Sequence, residues 1–77
     1  MLTKQQKIEY LARGFSEQNL LEVDEILESG KGKFEFYNMA NIGGGEYRLM
    51  FREEIGRDAK GEPLTKMQCR IGKLIYN

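Results

Sequence analysis

Few side chains in this chain suit covalent chemistry. It has one cysteine, Cys69, and no histidine, so the thiol lacks the imidazole that most often makes it a nucleophile. Cys69 alternates with Met67 and Ile71, a pattern that predicts a small buried hydrophobe rather than an exposed thiolate in cationic surroundings. Glu53 and Glu54 are adjacent; on a strand they point to opposite faces and do not converge for acid–base work. Asp58 and Glu62 share a turn-rich stretch, with too few oxygens for a calcium site. Thr3 and Ser16 stand where helix caps belong, not where nucleophiles do. Gly43-Gly44-Gly45 lies between two predicted strands, whereas phosphate loops run from a strand into a helix. Lys31, within Gly30-Lys31-Gly32-Lys33, follows a helix and precedes a strand, so it is not a phosphate-loop lysine either. No catalytic residue, metal site or cofactor is expected.

Binding constellations are better represented. Glu22, Glu25 and Glu28, helped by Glu17 and Asp24, recur at helical spacing and form an acidic face that can dock on a basic partner. An ordinary solvated helix face has the same signature. A second set, Lys33, Tyr37, Arg48, Arg52, Lys66 and Arg70, with Met50 and Gln68, shares one sheet face if strict alternation holds. Cations around an aromatic ring can hold phosphates and stack a base. Against this, Glu35 and Glu54 project onto the same face, and the 12 basic and 12 acidic residues cancel, where a nucleic-acid binder is usually basic. A helix-turn-helix reading of the first 29 residues fails on charge, because its second helix, 20–29, carries four acids and no cation.

These groups need elements to hold them. Thr3-Lys4-Gln5-Gln6 reads as a capping box opening a helix over 4–13, with Ile8, Leu11 and Phe15 at helical spacing and Gly14 as its stop. Ser16 caps a second helix over 17–29, whose stripe is Leu20, Val23 and Leu27 with Leu21 and Ile26 beside it. From Lys33 the period becomes two, which predicts strands over 33–40, 46–55 and 64–75. Tyr47, Leu49, Phe51 and Ile55 are expected on the inner face with Met67, Cys69, Ile71 and Ile75. Short connections suit an antiparallel meander. The fold class expected is α+β, a two-layer ααβββ domain spanning 1–77 with a helical hairpin on one face of a three-stranded sheet.

Composition sets the remaining bounds. With 77 residues, 40% hydrophobic and 31% charged, the chain is too apolar for a wholly disordered one, yet its core must be thin. One cysteine gives no internal disulfide framework. No run has the length of a signal peptide or a membrane span, and a cytoplasmic setting without membrane attachment is expected. Neutral net charge hides an asymmetry: residues 1–30 hold three basic and six acidic side chains, and 31–77 hold nine and six. The expected function is a small non-enzymatic protein-binding module that acts by occupying a surface, an inhibitor or adaptor of the kind encoded by phages and mobile elements. RNA or single-stranded DNA binding through the basic sheet face is the alternative. A thin core also gains from association, so the partners expected are another protein and a second copy as homodimer, with nucleic acid behind them.

Overall fold

In the computed structural model, which describes residues 1–76, both helices start at the anticipated caps. The Thr3 hydroxyl accepts from Gln6 N–H at 3.1 Å, and the Gln6 carboxamide accepts from Thr3 N–H at 2.9 Å. This reciprocal pair opens α1, Lys4–Ala12. The Ser16 hydroxyl accepts from Asn19 N–H at the start of α2, Glu17–Ser29. Three antiparallel strands follow: β1 Phe34–Gly43, β2 Glu46–Arg57 and β3 Pro63–Lys73, in the order β1-β2-β3. The architecture is the expected ααβββ layout.

The β1–β2 turn is tighter than the sequence suggests. Gly44 and Gly45 both take positive φ, 63° and 74°, which a two-residue primed turn requires and which glycine adopts without strain. The flanking strands therefore run almost into each other. The β2–β3 connection is organised by Asp58, whose carboxylate accepts from Lys60 and Glu62 N–H at 2.8 and 2.9 Å. Those backbone partners close the turn.

The core lies between α2, α1 and the inner face of β1 and β2. Leu20, Val23 and Leu27 descend from α2 onto Leu49, Phe51, Tyr47 and Met39. From α1 the buried side chain is Tyr10, while Ile8 and Leu11 are exposed. The Tyr10 ring meets Phe15 and Phe36 at centroid distances of 5.8 and 5.4 Å, and its hydroxyl donates to Asn38 at 3.1 Å. An aromatic that satisfies its polar tip this way buries more surface than the aliphatic stripe beside it. The two helices are tied by Asp24, which is buried, accepts from Leu2 N–H at 2.8 Å and pairs with Lys7 at 3.0 Å.

The outer parts of the sheet depart from simple alternation. β1 carries a bulge at Tyr37 and β2 one at Ile55. Each adds an unpaired residue and breaks the local alternation, and Ile55, itself the extra residue in β2, is exposed instead of continuing the inner row. No β3 side chain is buried. The helices cover β1 and β2, and the sheet extends one strand past them. No helix is long and apolar enough to cross a membrane.

Candidate interaction surface

Residues directly opposite each other in an antiparallel pair project to the same face. The register therefore assigns every β3 side chain. Arg70 lies opposite Leu49, Gln68 opposite Phe51 and Lys66 opposite Glu53. Leu49 and Phe51 are core residues, so Lys66, Gln68 and Arg70 stand on the helix side of the sheet. Met67, Cys69 and Ile71 lie opposite Arg52, Met50 and Arg48, and stand on the outer side. The expected facing of β3 is thus inverted. Cys69 is exposed rather than buried, and the six-residue basic constellation is divided. Tyr37, Arg48 and Arg52 remain on the outer side, Lys33 precedes β1, and Lys66 and Arg70 do not join them.

A glycine sets this phase. Gly72 lies opposite Tyr47, and a Cβ at residue 72 would stand 2.5 Å from the Tyr47 hydroxyl oxygen. The buried Tyr47 ring occupies the place a side chain would take. With residue 72 pointing inward, 66, 68 and 70 point inward too. The sequence signal was present, since Gly72 shares its parity with Lys66 and Arg70, but the apolar alternation of Met67, Cys69 and Ile71 outweighed it.

The outer face is consequently apolar along β3 and mixed towards β1. Ile71 is 54% exposed, Tyr37 51% and Met67 40%, with half-buried Met50 among them. The Arg52 guanidinium lies 4.9 Å from the Tyr37 ring centroid and 3.8 Å from Glu35. That arginine is already engaged by a π-face and an acid. Arg48, between Ala40 and Ile71 in the register, is without an ion-pair partner among the described residues.

The acidic helix face is divided as well. Glu25 and Glu28 are exposed and unpaired among the described residues. Glu22 is half-buried and accepts from the Tyr47 hydroxyl at 3.3 Å. Burial, followed by the charge and hydrogen bond of Glu22, pushes the Tyr47 phenol from 10.0 up to about 12. A raised phenol pKa favours the protonated folded state. Its contribution is complete below pH 10 and is lost as pH rises through about 12. In alkaline titrations followed by circular dichroism, Tyr47→Phe is expected to flatten the loss of stability across that window. A profile unchanged from wild type would remove this role from Tyr47.

On the helical side, Ile8, Leu11 and Leu21 are exposed, and Leu11 and Leu21 border a cleft of about 230 Å³ shared with Lys7, Glu17 and Leu20. Among the described residues no three acidic or thiol side chains cluster closely enough to hold a metal ion. The geometry offers surfaces rather than an enclosed site. Comparison with family models, curated proteins and solved structures finds no match.

Proposed function

We propose that this chain is a non-enzymatic protein-binding module that acts by occupying a partner's surface, as an inhibitor or adaptor does. One observation carries this reading. The outer sheet face presents Tyr37, Met50, Met67, Cys69 and Ile71 with no layer of the fold over them. A continuous apolar patch rimmed by charge is the usual mark of a protein interface. The exposed acids of α2 lie on the opposite layer, where they can steer encounter with a basic partner without joining the contact. RNA binding ranks lower, because the cations are split between two faces and Glu35 engages Arg52.

The test is capture from lysate by tagged wild type and by Ile71→Asp, each with and without nuclease. Ile71 makes no core contact, so the variant is expected to unfold within about 0.5 kcal/mol of wild type. A discrete partner that survives nuclease and is lost on Ile71→Asp supports the proposal. Capture that disappears on nuclease treatment transfers the function to nucleic acid, with Arg48 and Arg52 as the residues to change next. Nuclease-resistant capture that Ile71→Asp leaves intact moves the contact off this face.

A further inference from the structure

Resting on the protein-binding reading, we infer that the partner supplies an acidic extended segment that adds to the free edge of β3 as a fourth strand. β3 pairs with β2 alone, so along its other side every second backbone N–H and C=O has no strand to meet. The opposite edge of the sheet is a poor competitor, because β1 is broken by irregularities at Tyr37 and Ile42, and bulges disturb the row of groups that a new strand must match. Over the whole of β3 no side chain is buried, so both sides of an added strand would find room.

The side chains of β3 state what that strand must carry. On the outer side Met67, Cys69 and Ile71 form an apolar row. On the helix side Lys66 and Arg70 flank Gln68. The Gln68 amide donates to Glu53 at 2.8 Å, and neither Lys66 nor Arg70 has an ion-pair partner among the described residues. These two cations are four residues apart on one side, about 13 Å along the strand. A complementary segment therefore places two acids four residues apart on one side, a polar residue between them and apolar residues on the other side. Cross-strand pairs of this kind add specificity to the main-chain hydrogen bonds of strand addition.

Charge also selects against the alternative occupant. β3 carries Lys66, Arg70 and Lys73 and no acid. Pairing the β3 strands of two copies antiparallel about Gln68 would set Lys66 of each copy opposite Arg70 of the other, the like-charge contact by which edge cations keep sheets from joining. The same cations that repel a second copy attract an acidic strand.

The experiment uses two capped synthetic peptides, Val-Glu-Val-Thr-Val-Glu-Val and the same sequence with lysine in place of glutamate. Each is titrated into the isotopically labelled protein at low salt. The acidic peptide is expected to shift the β3 amides, to slow hydrogen exchange at those pointing away from β2, and to bind about tenfold or more tighter than its lysine counterpart. Lys66→Glu combined with Arg70→Glu is expected to reverse that preference; both side chains are exposed, so the variant keeps its fold. Equal binding of the two peptides overturns the inference. So does no response to the acidic peptide at about 1 mM, a response centred on Arg48 and Met50 instead of the edge, or concentration-dependent dimerisation through β3 seen by sedimentation. Failure here with the Ile71→Asp capture result intact leaves the protein-binding reading standing on the outer face; failure of both removes it.

Discussion

Replacing Asn19 with leucine is expected to cost this domain about 3 kcal/mol, counting roughly 1–3 kcal/mol for each buried polar group left without a partner. Asn19 is 0% exposed, although it sits on a helix whose neighbouring residues Gln18 and Glu17 are in solvent. Its carboxamide does the work of a strand. The side-chain N–H donates to the Lys73 carbonyl at 3.0 Å, and the side-chain oxygen accepts from Ile75 N–H at 2.9 Å and from the Ser16 hydroxyl at 3.1 Å. Beyond β3, these bonds hold the chain against the start of α2 and keep Leu74 packed on the core. Leucine keeps the branching, is bulkier at a fully buried site, and removes every one of them. Urea denaturation reads the loss of stability, and hydrogen exchange at Ile75 locates it. Exchange at Ile75 should approach the free rate while the β2 amides opposite β1 stay protected. Unchanged protection at Ile75 would mean that packing of Leu74, not the carboxamide, retains this segment.

Asn19 also marks the limit of what pattern alone conveys. A polar residue in the first turn of an amphipathic helix reads as surface, and only its position beside the end of β3 makes it interior. Where local chemistry and tertiary environment agree, the reading was direct. Thr3 and Ser16 act as caps, Leu20, Val23 and Leu27 form the α2 stripe, and Tyr47, Leu49 and Phe51 alternate inward. Each of these residues meets its partners through a regular period that the chain cannot shift without losing the core.

The departures have separate physical sources: Gly72 beneath the Tyr47 ring sets the facing of β3, a bulge takes Ile55 out of the inner row, and the helical layer is narrower than the sheet. Alternation reports which residues share a side, but not which side is covered. With two helices spanning β1 and β2, no β3 side chain is buried, and the apolar row of Met67, Cys69 and Ile71 faces away from the helices. On α1 the spacing of Ile8 and Leu11 was a genuine stripe, yet the neighbouring stripe with Tyr10 reaches Phe36 and Asn38. Exposed apolar residues on both layers are thus a consequence of how little a 77-residue chain can enclose. The same fact gives the candidate surface: what the fold leaves open is where a partner can supply the missing layer.

Gly72→Ala carries the second large effect, and it tests the facing of β3 on which that surface depends. A Cβ at residue 72 would lie 2.5 Å from the Tyr47 hydroxyl oxygen and 2.6 Å from its Cε1, closer than real Cβ contacts come. The ring has little freedom to yield. Tyr47 is 2% exposed, meets Phe15 edge-on at 6.5 Å, and donates its hydroxyl to Glu22. Overpacking of this kind is expected to cost about 1–3 kcal/mol, read as a lower urea midpoint at unchanged slope. Strand propensity predicts the opposite, because alanine normally stabilises a strand position relative to glycine. The double-mutant cycle decides the cause. In a Tyr47→Leu background the ring is gone, and Gly72→Ala should become close to neutral, with a coupling of at least about 1 kcal/mol. If Gly72→Ala is equally costly in both backgrounds, residue 72 does not face Tyr47. Lys66 and Arg70 would then return to the outer side, and the basic sheet face would again be a candidate for RNA. A coupling of the expected size instead places Met67, Cys69 and Ile71 outward in solution, on the face and beside the edge through which a partner would bind.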